Sequence, residues 1–249
     1  MMESLMDLAE KDSDLMLLTG DLGFGVFEEF EKKYPKQFLN VGVSEQNMMG
    51  IASGLALKGK KVYVYSIGNF PTLRCLEQIR NDACYHKLNI NIIAMGAGFS
   101  YGALGMSHHA TEDIAIMSSL PEVTVLSPST KDEARKLVSD AYFEPGVCYI
   151  RLDKSSTISE VENPDIKIGK AFTLAEGNSG IIIFATGGIA EEAMKARSEL
   201  LEENICVEVA SIPTVKPIDR EFILSKAQKN NYLISLEEHN TFNGLGASI

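Results

Sequence analysis

Short runs of β-branched and aliphatic residues alternate along this chain with longer stretches in which apolar residues recur every three or four positions. Leu15–Thr19, Lys61–Ser66, Asn91–Met95, Thr124–Ser127 and Val147–Leu152 are predicted as buried strands, and Ser44–Leu57, Thr72–Tyr85, Thr111–Leu120 and Lys131–Phe143 as the helices between and after them. Strand–helix alternation of this kind predicts an α/β fold, a parallel sheet with helices on both faces. The polar, aperiodic segment Asp153–Gly169 breaks the rhythm. It then resumes with strands at Gly180–Thr186, Ile205–Ser211 and Tyr232–Glu237 and helices at Ala190–Glu202 and Asp219–Lys229. The reading is two doubly wound domains, residues 1–156 and 170–249, joined by a linker at 157–169. Gly244–Ile249 has the glycine-rich look of another helix opening, so the second domain is expected to lack its tail here or to be incomplete.

Composition narrows the class. A chain of 249 residues suits one large or two modest domains. A net charge of −11 argues against a nucleic-acid or anionic-membrane partner held by charge. Cys75, Cys84, Cys148 and Cys206 lie far apart, with no CxxC pair, which points to free thiols in a reducing compartment rather than zinc or disulfides. Met1–Asp14 carries acidic residues and no basic leader, and no apolar run approaches the roughly 18 residues that span a bilayer. A cytoplasmic protein is expected.

Ligands of open parallel sheets sit beyond the carboxyl ends of the strands, where this sequence has Gly20–Gly25, Val43–Gln46, Gly68–Phe70 and Gly96–His109. Ser44 is predicted to cap the helix that follows, with Met48, Ile51, Ala52 and Leu55 forming its buried face and Gly50 and Gly54 permitting close helix approach. By itself Glu45 reads first as a first-turn carboxylate complementing the helix dipole, with a working group as the lesser alternative. His108 and Glu112 have the spacing of two metal ligands, but no third ligand is in sight and no metal site is assigned. His86 and His239 read as structural.

The order of these segments resembles the transketolase family. Gly20-Asp21, Val43-Ser44-Glu45-Gln46-Asn47-Met48, Gly54-Leu55-Ala56, Glu77-Gln78-Ile79-Arg80, Gly105-Met106-Ser107-His108, Leu120-Pro121 and Ser127-Pro128-Ser129 are similar to its pyrimidine-binding domain. Ala185-Thr186-Gly187, Ile212-Pro213-Thr214-Val215-Lys216-Pro217, Glu238-His239-Asn240 and Gly244-Leu245-Gly246 are similar to its C-terminal domain, as in the C-terminal subunit of split, two-chain transketolases. The resemblance implies transfer of a two-carbon ketol unit from a ketose donor to an aldehyde acceptor on thiamine diphosphate. It implies that Glu45 bonds the aminopyrimidine ring nitrogen, which suits a carboxyl group in a dry pocket where the charged form is disfavoured. Asp21 joins it in holding the cofactor, with Ile67 and Phe70 at the two places where family members stack aromatics on the pyrimidine. His108 falls on the residue that contacts substrate and thiazolium and relays protons, with His109 as its alternate.

Departures from the family pattern shape the rest. No Gly-Asp-Gly motif with a downstream asparagine is present, so the diphosphate and its Mg²⁺ are expected on a separate N-terminal subunit, in an α2β2 heterotetramer. Where sugar-phosphate transketolases hold a phosphate and read a hydroxyl, this chain has Gly25 for a serine, a position near Gly96 for a histidine, Lys154 for an arginine and Leu104 for an aspartate. A lysine lacks the bidentate fork of arginine. The expected substrate is therefore an unphosphorylated or otherwise modified sugar. Two other readings stand: the beta subunit of a 2-oxo acid dehydrogenase, which would decarboxylate its substrate, and an inactive scaffold relative, against which the retained Glu45 argues.

Overall fold

A computed structural model describes residues 1–153, 158 and 165–249. Its first sheet holds β1 (Leu15–Thr19), β2 (Phe38–Asn40), β3 (Lys61–Ile67), β4 (Ile90–Met95), β5 (Val123–Leu126), β6 (Val147–Leu152) and β10 (Thr214–Lys216), in the order β10-β5-β6-β4-β3-β1-β2. All pairs but one are parallel, in agreement with the α/β reading. The exception is β10, which returns from the C-terminal region and pairs antiparallel with β5. The second sheet holds β7 (Phe172–Ala175), β8 (Ile181–Ala185), β9 (Glu208–Ser211) and β11 (Tyr232–Leu236), in the order β11-β8-β9-β7, with β7 antiparallel to β9.

Both faces of the first sheet are covered. The helices α3 (Glu45–Leu57) and α5 (Asp113–Ser119) supply Met48, Met49, Ala52, Ile114 and Met117 to one core, against Val62, Val64 and Ile92. On the other face α1 (Met2–Lys11), α2 (Glu28–Lys33) and α6 (Lys131–Ala141) pack Leu5, Phe30, Leu137 and Val138 against Leu15, Tyr63 and Ile150. The second sheet lies among α7 (Ala190–Glu202), α8 (Arg220–Ala227) and the short α9 (Leu245–Ser248), whose opening N–H groups at Leu245 and Gly246 donate to the Glu237 carboxylate at 2.7 and 2.9 Å.

Several local expectations are corrected. Ser44 stands at the start of α3, but its hydroxyl donates to Val41 O at 3.0 Å instead of capping the helix. Gly50 and Gly54 face open space, so no helix approaches them among the described residues. Thr72–Tyr85 is not one regular helix: a 3₁₀ turn at Leu73–Cys75, a short α4 (Leu76–Gln78) and a π-helical stretch at Ile79–Cys84 follow one another. The end of the expected linker is packed, with Ile166 and Ile168 against the core on the α1 and α6 face of the first sheet and Gly169 N donating to Thr214 Oγ1.

The two sheets meet in a buried polar seam. Thr186 Oγ1 donates to Ile212 O, Gly187 N to Ser127 O, and Ser127 N to Pro213 O. Glu133, in the first turn of α6, accepts from Ser129 N at 2.7 Å and from Ser211 Oγ at 3.1 Å, while its other oxygen is buried without a partner among the described residues. Burial pushes this carboxyl up to about 7. The folded protein then binds the proton more tightly than the unfolded chain does. Stability accordingly falls as pH rises from the ordinary glutamate value of ~4.3 to about 7, by roughly 3–4 kcal/mol, and is flat above. Glu133→Gln, which keeps an acceptor without a titrating proton, is expected to flatten that slope in urea-unfolding curves measured from pH 5 to 8.

Candidate active site

The carboxyl ends of β1, β3, β4 and β6 are neighbours in the sheet, so the loops that follow them converge. Gly68 N donates to Met95 O and Gly96 N to Leu152 O, carrying the ladder one residue past the strands. A Cβ on Gly68 would meet Ala110 Cβ at 2.9 Å, and one on Gly96, whose φ is +92°, would strike the Tyr101 ring. The crossing is thus close enough that side chains are excluded from it. The Gly98–Ala110 bridge then closes the histidine loop on itself.

Glu45 opens α3 beside Gly20 and is only 3% exposed. Its Oε2 accepts from Arg74 Nη1 at 2.7 Å. The guanidinium lies over the face of Phe70, 4.3 Å from the ring centroid, and the Phe70 and His108 rings meet edge-on at 5.1 Å. The Phe70 backbone is pinned by Cys75 Sγ, which donates to Phe70 O at 3.3 Å. Burial, and then the Glu45 charge, push the Cys75 thiol up to about 12, so it is a donor and not a thiolate nucleophile at neutral pH.

The histidines differ in what holds them. Ser107 Oγ lies 3.0 Å from His108 Nδ1, which leaves Nε2 for a ligand. His109 Nε2 is 3.2 Å from Gly102 O, and its ring packs on Phe99, so it braces its own loop. Ile67 ends β3. Asp21 turns to Asn40, exchanging backbone and side-chain hydrogen bonds at 3.0 Å, and is not joined to Glu45. Leu104 is 56% exposed, while Lys154 lies outside the described residues. His239 accepts from Ala115 N at 3.3 Å, tying the C-terminal region to α5.

Sequence reasoning missed Arg74, Asp113 and Arg151. Asp113 is fully buried and receives Arg151 Nε at 2.8 Å and Tyr149 OH at 2.6 Å. Burial and the Asp113 charge push the Tyr149 hydroxyl well above its usual range, so it stays a donor. Arg151 Nη2 also donates to Ala110 O and Glu238 O, at 3.0 and 2.8 Å. One guanidinium therefore fixes the end of the histidine loop to β6, α5 and the C-terminal region. A buried cation inside a strand run, with an acid a few residues past the histidines, was the signal available. Among the described residues no group of three His, Cys, Asp or Glu side chains is disposed to hold a metal, and no helix is long and apolar enough to cross a membrane.

The family description "Transketolase, pyrimidine binding domain" matches residues 1–158, and "Transketolase, C-terminal domain" matches residues 169–249. The chain belongs to the transketolase family. Among its transketolase relatives is a subunit of the apulose-4-phosphate transketolase of Phocaeicola vulgatus, 35% identical over 99% of this chain and 80% of the relative. A 6-deoxy-6-sulfo-D-fructose transketolase subunit from Clostridium sp. strain MSTE9 is 32% identical over 98% and 76%. A solved split-gene transketolase, an inactive beta4 tetramer, superposes with a TM-score of 0.88 at 35% identity, over 99% of this chain and 81% of that one. The resemblance drawn from the motifs is thus borne out for family and fold.

Truncating Arg151 would leave the buried Asp113 carboxyl group without its ion-pair partner. Arg151→Met is expected to cost about 3–5 kcal/mol of unfolding free energy, whereas the double variant Arg151→Met, Asp113→Leu recovers much of that loss. Urea denaturation at pH 7 of the two variants and the parent measures both.

Proposed function

We propose that this transketolase-family chain is the pyrimidine-side subunit of a two-chain enzyme that moves a two-carbon ketol unit from a ketose to an aldehyde. The observation that carries the proposal is the juxtaposition of a buried carboxyl group, Glu45, with an aromatic platform, Phe70, and a histidine with a free ring nitrogen, His108. These residues fit the ring half of thiamine diphosphate. Asn69 adds a buried amide oxygen with no partner among the described residues, next to Phe70. When bound, the cofactor supplies the carbon nucleophile and electron sink.

The chain's own residues do the rest. Glu45 shares a proton with the ring nitrogen, Phe70 stacks on the ring, and His108 Nε2 moves protons to and from substrate oxygens. A separate subunit carries the diphosphate and its Mg²⁺, in an α2β2 assembly. The relatives named as subunits, and a split-gene neighbour that is described as inactive as a beta4 tetramer, support the need for a partner.

For the substrate, a phosphorylated sugar stands in one relative's name and a sulfonated one in the other's. Here the rim presents Leu104, Met106 and Phe99, all exposed, and Gly25 offers no side chain. An apolar rim of this kind supports an unphosphorylated or otherwise modified sugar.

In the complex reconstituted with a diphosphate-binding subunit, Glu45→Gln is expected to lower kcat by roughly 10²–10⁴-fold. Its melting temperature should stay within a few degrees of the parent's. Normal turnover by that variant refutes the role given to Glu45. Steady-state comparison of a sugar phosphate with its dephosphorylated analogue is expected to show no gain in kcat/KM for the phosphate; a strong preference for it overturns the substrate reading.

A further inference from the structure

Arg74 makes two contacts that the proposed site reserves for something else. Its guanidinium lies over the Phe70 ring, 4.3 Å from the centroid, and its Nη1 bonds the Glu45 carboxylate at 2.7 Å. A nitrogen ring stacked on Phe70 and bonded to Glu45 would use the same face and the same carboxylate. The two uses compete for one face: the Glu45 carboxylate keeps Oε1 and spare lone pairs beside its bond to Arg74, but the face of Phe70 that the guanidinium covers holds one planar group.

The asymmetry of the pair says which member moves. Glu45 is 3% exposed and fixed in the first turn of α3, whereas the Arg74 side chain is 45% exposed. Arg74 also sits in the 3₁₀ turn where the helix after β3 is irregular, and among the described residues Glu45 is its only ion-pair partner. Its long side chain can turn into solvent with little loss, while the carboxyl group cannot leave the floor of the site.

We propose that Arg74 is a placeholder for the aminopyrimidine ring: in the cofactor-free subunit it holds Glu45 and covers Phe70, and it is displaced when the cofactor seats. The placeholder keeps a buried carboxylate paired and an aromatic face covered while the subunit lacks its partner, and it lowers cofactor affinity in proportion. The proposal rests on the functional reading above, because only a ligand for Glu45 and Phe70 makes the displacement necessary.

Two measurements test it. In the cofactor-free subunit, a double-mutant cycle of Glu45→Gln and Arg74→Leu on urea-unfolding stability is expected to show coupling between the two side chains. In the complex with the diphosphate-binding subunit, titration with thiamine diphosphate at saturating Mg²⁺, followed by calorimetry, is expected to give a Kd roughly tenfold lower for Arg74→Leu than for the parent. Raising salt should tighten binding to the parent relative to Arg74→Leu, since screening weakens the competing ion pair. Weaker or unchanged binding by Arg74→Leu overturns the placeholder, as does absence of coupling in the free subunit. If coupling is present and no variant binds the cofactor, the functional reading fails and takes the placeholder with it.

Discussion

A single fully buried guanidinium, Arg151, holds the working end of this molecule together. Its partners come from Asp113 at the start of α5, from Ala110 at the close of the histidine loop, and from Glu238 beyond β11. Moving two charges out of water is costly, and the cost is offset only where the geometry satisfies most of the polar atoms. Here Tyr149, a neighbour on β6, adds a second donor to Asp113. The arrangement makes the position of His108 depend on the C-terminal region as well as on the sheet that carries it. Gly98 shows how tight that dependence is: with φ at +53°, a Cβ there would run into Glu238.

The two sheets are joined more deeply than a linker would join them. β10 belongs by sequence to the second half of the chain and by hydrogen bonding to the first sheet. The seam around Ser127, Ser129, Glu133 and Ser211 is buried and extensively hydrogen-bonded, so the two halves are held in one orientation by directional contacts. Such a seam suits a site assembled from both halves, because a small rotation between them would shift Glu238 and His239 away from the histidine loop and α5.

At the site itself, charge and stacking compete for the same two groups. Glu45 is an acceptor buried at the start of a helix, and Phe70 offers an aromatic face beside it. Each calls for a partner, and within the single chain Arg74 answers both. On the proposed function these groups are half of a site: they are preformed, while Phe24, Val43, Leu104 and Met106 leave an exposed apolar surface.

Much of this was legible in the residues. Apolar periodicity located the central strands and the long helices because those segments are buried on faces that the period reveals. The ordered motifs located Glu45, Phe70 and His108 because a glycine-lined approach and a carboxylate at a helix start are local features of the chain. What periodicity does not encode is pairing at a distance. The strand at Thr214–Lys216 is three residues long and is held by its neighbour β5 rather than by its own pattern. The partners of Glu45 and Asp113 lie 29 and 38 positions away, and only the folded sheet, which brings the ends of β3 and β6 alongside the starts of α3 and α5, decides that each acid meets an arginine.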